Sequence, residues 1–420
     1  MTSESFDAAA QARVSNASAD PITEFYTSNP FPPPLDDLER ALDLYKDENV
    51  RRSEFHLLWP DREYRADIDV LVAGCGTWQA AKYALCHRDA RVTAIDVSPT
   101  SLDHTQKLKQ KYDLTNLDVR ELRIENAADL DHSFDHIICT GVLQHLVDPD
   151  EGLRALRSVM NRDGAMYVMV YAPYGRTGVY MMQEYCRKLG VGTSPQEIRD
   201  LISVLRVLPQ HHPLLAAQGG AREFMNDAIA DALMNPRDRS YSVPQLFEFL
   251  ERNDLMLGRW YWQAAYLPQC GLIARTPHAA RLAELPENER YAQMELWRGL
   301  MSNHSFVAYR KDADLAGAEL RFDDDSSLNY VPIRLPWTRV VEQSPSPGAA
   351  GALVNQTHVF PDLYISINAI QKRLYEAIDG QRSIAQILEA ADESDSSIAL
   401  EFFEKLWDHD QVVFDTSKTK

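Results

Sequence analysis

Residues 67–171 alternate short β-branched runs with amphipathic helical segments, and this rhythm is the strongest constraint on what the chain can become. Residues 68–73 read as a buried strand, 74–77 as a tight turn and 79–86 as a helix. A second strand covers 91–95 and ends at Asp96; Ser98 then offers an N-cap and Pro99 a first helical residue for a helix to about Tyr112. Further strands follow at 119–124 and 134–140. Asp148-Pro149 opens a helix whose Leu153, Leu156, Val159 and Met160 share one face, and after a turn at 161–164 residues 165–171 form a fifth strand. Strand and helix alternating in this way predict an α/β architecture built on a doubly wound parallel sheet.

The turn after the first strand carries chemistry. Glycines at 74 and 76 let the backbone approach a ligand closely, and Asp96, about 20 residues further on, is placed to accept both hydroxyls of a ribose. An adenosine-containing cofactor is implied. A dinucleotide site wants glycine or alanine three positions after the second glycine, where a helix N-terminus meets the pyrophosphate; this chain has Gln79 there, behind Trp78. That argues against a nicotinamide oxidoreductase, and the absence of a P-loop signature argues against a phosphate-cradling nucleotide site. S-adenosyl-L-methionine has no phosphate and tolerates a bulkier residue at that position.

These segments resemble the class I S-adenosylmethionine-dependent methyltransferases, and within them a bacterial group, methyltransferase-type-12-like, that begins with a Tyr…Pro-Phe-Pro segment, here Tyr26 and Pro30-Phe31-Pro32. Residues 70–77 are similar to the family's first motif, 94–98 to its ribose-binding second, 134–146 to its fourth-strand motif and 164–167 to the turn into strand five. The resemblance covers about residues 22–311 and implies a seven-stranded, mixed, Rossmann-like sheet. It implies cofactor contacts from Ala73, Gly74, Cys75, Gly76 and Gln79 around the first turn, and from Asp96 and Val97 after strand two. Ile124 and Glu125 would meet the adenine, and Thr140 and Gly141 the methionine end. Val72 stands where the family has an acidic residue and Trp78 where it has a third glycine, so the amino-acid end must rely on backbone near 73–74 and 139–141.

The rest of the chain reads as additions to this sheet. Residues 1–21 are small and polar, a disordered lead-in, and the Pro-rich stretch 29–34 must lie extended, with Tyr26 on an ordered surface strand or folded over the cofactor pocket. Residues 35–58 carry helical spacing. Residues 172–240 interrupt the rhythm with helical sequence just past a strand end, a lid or a homodimer contact. Val243-Pro244 opens a helix, 257–262 and 306–309 are the last strands of the sheet, and 312–350 is a linker of little structure. In 351–420, Ile367, Ile370, Leu374 and Ile378 form one helical stripe, Ser383 and Gln386 a capping box, and Phe402, Phe403, Leu406 and Trp407 a third helix before a strand at 412–414. This α+β tail resembles a winged-helix module.

Charge and cysteine content narrow the partners. With 43 Lys+Arg against 62 Asp+Glu the formal charge is −19, which disfavours nucleic acid and anionic membrane as partners and leaves cationic ones open. Five scattered cysteines without a CxxC pair fit a reducing, cytoplasmic setting rather than a disulfide framework or a zinc site. No apolar run is long enough for a membrane span. The adjacent His211 and His212 point in different directions and lack a carboxylate at ligand spacing, so no metal is assigned.

Methyl transfer is chiefly positioning, with a general base needed only when the nucleophile arrives protonated. Four residues at the carboxyl edge are candidates for that work. His145 is a base or substrate contact, or else a packed helix cap; Tyr171, Tyr174 and Arg176 are an aromatic wall and a substrate anchor, or else a lid hinge. Arg237-Asp238-Arg239 reads as a solvated turn. The first expectation is an O or N nucleophile of a small metabolite as acceptor. A protein lysine, or a noncatalytic S-adenosylmethionine-binding sensor, stays open.

Overall fold

The computed structural model describes residues 20–217, 224–314, 320–342, 347–393 and 395–419. The lead-in expected at 1–21 falls outside that range except for Asp20 and Pro21.

Strands β1 (Asp69–Ala73), β2 (Arg91–Asp96), β3 (Leu117–Glu121), β4 (Phe134–Thr140), β5 (Met160–Tyr171), β6 (Leu255–Trp260) and β7 (Asn303–Arg310) form one sheet in the order β3-β2-β1-β4-β5-β7-β6. The first five run parallel, and β7 lies antiparallel between β5 and β6. This is the seven-stranded, mixed, Rossmann-like sheet expected. Burial on both faces explains its continuous apolar runs. In β1, Val70 and Val72 pack with the helix Gln79–Cys86 on one face, while Leu71 and Ala73 pack with the helix Pro149–Ser158 on the other. Because β1 pairs with both β2 and β4, successive connections leave in opposite directions there, and a crevice opens at the carboxyl ends.

Capping chemistry set the helix starts. Ser98 Oγ accepts from the Ser101 amide with Pro99 in the first turn, and Asp148 Oδ1 accepts from the Asp150 and Glu151 amides. Several boundaries differ from expectation. β3 ends at Glu121, and Ile124 opens a 3₁₀ segment, Ile124–Leu130. The expected turn at 161–164 is part of β5: Met160 pairs with Phe134 and Ala165 with His136, across a register irregularity. Neighbours bind the groups a turn would have bonded internally, since Asn161 Nδ2 donates to Asp135 at 2.8 Å and Trp59 Nε1 to the Asp163 carbonyl at 3.2 Å. Residues 35–58 form two helices, Glu39–Leu44 and Glu48–Leu58, because Asp47 caps the second by accepting from the Asn49 amide.

The insertion carries helices Thr177–Leu189, Pro195–Arg206, Pro213–Ala217 and Asn226–Met234. Its own core unites Met182, Ile198, Leu201, Leu205 and Leu214 with Phe25 of an additional helix, Pro21–Ser28. That N-terminal helix, capped by Asp20, replaces the surface strand considered for Tyr26.

The C-terminal region departs most from expectation. Within the stretch 312–350, read as linker, lie β8 (Val331–Arg334) and β9 (Thr338–Val341). β9 joins β10 (Gly351–Asn355) and β11 (Tyr364–Ile367) in an antiparallel sheet, and β8 pairs with the final strand β12 (Val412–Asp415). The helices Ala369–Glu376, Ile384–Ala390 and Ser396–Asp408 lie near their expected places, the second with its Ser383/Gln386 capping box. Ile370 is exposed and Ile378 lies past the helix end at Glu376, so of the expected stripe only Leu374 is a buried helical residue, packed with Ile367 of β11 and with Ile378. Four strands precede these helices, an order the winged-helix analogy does not contain. The unit is docked on the sheet domain through Leu57, Ile333, Leu335 and Val413, and through Asp410, which accepts from the amides of Gln263 and Ala264.

Candidate active site

The crevice at the carboxyl ends of β1, β2 and β4 opens into a cavity of about 530 Å³. Gly74 and Gly76 turn the chain there with φ of +71° and +56°. A Cβ on Gly74 would stand 2.4 Å from Val142, and one on Gly76 2.8 Å from Pro32. The Pro-rich segment thus lies directly on the glycine turn, and Thr77 Oγ1 donates to the Pro32 carbonyl at 2.7 Å.

Asp96 sits at the tip of β2 with its carboxylate fixed from both sides. Oδ2 accepts from the Gly76 amide and Oδ1 from the Ser98 amide, each at 2.9 Å. Burial raises its pKa while these two amides and that of Val97 oppose the shift. A carboxylate oxygen has room for a second donor, so Asp96 keeps acceptor capacity toward the cavity it lines. Val97, Ile124, Glu125, Thr140, Gly141 and Gln79 line the same cavity, with Gln79 Nε2 donating to Thr140 Oγ1 at 3.0 Å. Ala73 and Cys75 lie beneath the turn, fully buried and outside the lining. Burial pushes the Cys75 thiol well above its ordinary pKa, and the Asp96 carboxylate adds to this, so Cys75 is filler rather than nucleophile.

Beyond β4 and β5 the cavity acquires a polar end, where His145, Tyr171 and Tyr26 meet a residue the sequence analysis did not single out. Asp231, on the insertion helix Asn226–Met234, is 7% exposed; its Oδ1 accepts from Tyr26 Oη at 2.8 Å and its Oδ2 from Tyr171 Oη at 3.4 Å. Asn235 Nδ2 donates to the Tyr26 hydroxyl at 2.9 Å. His145 lies edge-on to both rings, with centroids 6.1 Å from Tyr26 and 5.5 Å from Tyr171. Its Nδ1 faces the Arg237 carbonyl, which can only accept, so the proton is on Nδ1 and the lone pair on Nε2. Burial lowers the His145 pKa and keeps the ring neutral, against the pull of Asp231 and Asp238.

Two of the four catalytic candidates therefore meet, and two do not. Arg176 stacks over Tyr171 at 3.6 Å and pairs with Asp238 at 2.7 Å, which makes it a support for the tyrosine rather than part of the lining. Tyr174 is exposed and outside the cavity, so its assignment is corrected. The turn read at Arg237-Asp238-Arg239 is no solvated one. Asp238 is buried against Arg176 and Gln183, and the two arginines donate to the carbonyls of His145, Leu146 and Val147. An acidic residue beside Ile229, Ala230 and Leu233 on one apolar helix was the available signal for Asp231. Among the described residues no cluster of three or more His, Cys, Asp or Glu is assembled that could hold a metal, and no helix is long and apolar enough to cross a membrane.

Residues 71–166 match a family model described as a methyltransferase domain. An uncharacterized protein of Synechococcus sp. is 32% identical over 278 residues, spanning 63% of this chain and 65% of its own length. A ubiquinone biosynthesis O-methyltransferase of Actinobacillus pleuropneumoniae is 29% identical over 146 residues, 32% of this chain and 62% of its own. The chain thus spans a little less than two thirds of either relative. In architecture it is similar to PKMT2 from Rickettsia typhi, with a TM-score of 0.64 at 15% identity, over 88% of this chain and 75% of that one.

Proposed function

Because the chain carries a class I S-adenosylmethionine-dependent methyltransferase domain, we propose that it transfers the methyl group of S-adenosyl-L-methionine to a nitrogen or oxygen of a small metabolite held between Tyr26, Tyr171, His145 and Asp231. The observation that carries the reading is the single cavity joining Asp96, fixed by two amides, to this polar cluster. A structure of the Rickettsia relative in complex with AdoHcy supports the choice of cofactor.

The residues present suit that cofactor. Asp96 would hold the ribose hydroxyls, Ile124 and Glu125 would flank the base, and the backbone at Gly74 together with Thr140 would face the amino-acid end. When bound, S-adenosyl-L-methionine supplies a methyl carbon on a sulfonium, a leaving group already activated. What remains for the chain is to place a nucleophile and remove its proton. Tyr26 and Tyr171 orient the Asp231 carboxylate, which accepts a hydrogen bond from the acceptor. His145 Nε2, unprotonated at neutral pH and facing the Gln144 side-chain amide at 3.4 Å, takes the proton as it exchanges that long contact for the acceptor. The helix Pro21–Ser28 and the insertion together exclude water from this end.

A second reading, a protein lysine as acceptor, is favoured by one feature, the buried Asp231 carboxylate facing the cleft as a counter-charge for an ammonium. Lysine must lose its proton before it reacts, so activity on a Lys-containing peptide would rise across pH 7 to 9. The test is to supply cofactor with a labelled methyl group to a lysate and compare the protein with its Asp96→Ala variant. Label in small molecules is expected. Label in protein would establish the lysine reading, and no label above the variant in any fraction would overturn methyl transfer.

A further inference from the structure

The cavity does not end at the cofactor cleft. On β4, Thr140, Ile138 and His136 point to the same face, so the lining that begins at Thr140 reaches His136 about 13 Å down the strand. This deep arm is walled by Tyr83 of the helix Gln79–Cys86, Phe55 of the helix Glu48–Leu58, Tyr167 of β5, and Tyr261. The Gln79–Thr140 hydrogen bond forms the sill between the two parts.

At the bottom His136 is 6% exposed, and neither ring nitrogen has a hydrogen-bond partner among the described residues. Tyr83 and Trp59 meet its ring edge-on, with centroids 6.1 Å and 6.2 Å away, and offer it no polar atom. Burial drives its pKa down to about 3, with a smaller push from His87, so the ring is neutral and presents one donor and one acceptor. Native proteins rarely leave both sides of a buried imidazole unmatched. Aromatic rings of Phe55, Tyr83, Tyr167 and Tyr261 make the walls nearest the imidazole, and the charged Arg51, Glu54, Arg65 and Lys82 line the same cavity. The Glu54 carboxylate on that lining is already engaged, since it accepts from Tyr45 Oη and lies 3.0 Å from His87 Nε2.

We propose that this arm is a binding site for a flat aromatic ring bearing a hydroxyl, with the hydroxyl bonded to His136 and the ring packed against Tyr83 and against the Tyr167–Tyr261 pair, whose own centroids lie 4.5 Å apart. The site goes beyond the reading above and does not depend on it, because the ring binds whether or not it carries the atom that is methylated. A ring fits better than an alkyl chain because offset and edge contacts with three tyrosines add to simple burial.

The probes are p-cresol and toluene, which differ by the hydroxyl, titrated calorimetrically into the full chain with S-adenosylhomocysteine added in a separate titration. The wild type should bind one p-cresol, about tenfold more tightly than toluene, the size of one hydrogen bond. His136→Phe should abolish that preference while keeping toluene affinity, and Cys86→Trp, which fills the arm from its wall, should weaken both ligands at least tenfold. Unchanged S-adenosylhomocysteine affinity in the two variants shows that they are folded. No heat with p-cresol, or a hydroxyl preference that survives His136→Phe, would overturn the proposal. Failure of S-adenosylhomocysteine to bind the wild type would instead overturn the cofactor reading and leave the p-cresol result standing.

Discussion

Asp96 shows how far a single position can be read without a structure. Its distance from the glycine turn and its place at a strand end are local facts, and local geometry does the rest: two amides fix the carboxylate that lines the crevice. Asp96→Asn keeps the size but removes the charge, so S-adenosylhomocysteine should bind roughly 10- to 100-fold more weakly by calorimetry, the range for one charge-assisted contact. Gly74 is similarly constrained by a left-handed φ and by Val142, and Gly74→Ala should cost ~2–4 kcal/mol in urea denaturation. An unchanged midpoint would mean that the turn can relax. The contact between Tyr26 and Asp231, and the place of His136 in the cavity, were illegible for the opposite reason. Tyr26 and Asp231 meet across 205 positions, and nothing within a few residues of either announces the contact. Asp231→Asn should lower kcat/KM at least tenfold while leaving cofactor affinity within twofold; equal losses in both would place it in the cofactor site instead.

At the scale of elements, caps and periodicity located the helices well, and strand ends poorly. The Ser98-Pro99 and Asp148-Pro149 starts stand where their chemistry put them, since an N-cap satisfies its own turn without outside help. β5 instead extends back to Met160 because distant side chains bond the groups at 161–163, and the helix Pro21–Ser28 exists because Phe25 joins the insertion's core. That N-terminal helix is tied to the cofactor side as well, where Ser98 Oγ donates to the Tyr26 carbonyl and Thr100 Oγ1 to the Thr27 carbonyl. It is also held at its start by Asp20, which caps it and pairs with Arg123 and Arg237. Asp20→Ala should therefore speed proteolysis within residues 20–34 several-fold, and saturating S-adenosylhomocysteine should restore part of the protection. Cleavage at the wild-type rate would show that the helix is held by packing alone.

For the whole molecule, the doubly wound sheet was legible from alternation, whereas the C-terminal unit was not, because short strands separated by Ser, Pro and Asp look like linker until their partners are known. The docking of that unit rests on buried charge. Arg259 stacks on Trp407 at 3.9 Å and pairs with Asp410 at 3.3 Å, and Asp410 also accepts the two amides and lies 3.1 Å from His358 Nε2. Asp410→Ala strands a buried guanidinium and should cost ~3–5 kcal/mol, read as a fall in the thermal midpoint. Acid should destabilise the molecule as well. Burial holds His136 to about 3 and His409 to about 4, both below the unfolded value near 6.5, so protons favour the unfolded chain as pH falls from about 6.5 toward 3. The urea midpoint should drop between pH 7 and 5, and His136→Phe should make that drop smaller.

The helix Glu48–Leu58, which walls the aromatic arm, packs on its outer side against β8 and β12, and Thr416 donates to the carbonyl of Pro60 at 2.7 Å. During synthesis, then, the early helix has no backing until residues some 350 positions later have left the ribosome. A nascent chain would acquire its crevice for the nucleoside well before it could hold an aromatic guest, and the two capacities would appear in that order.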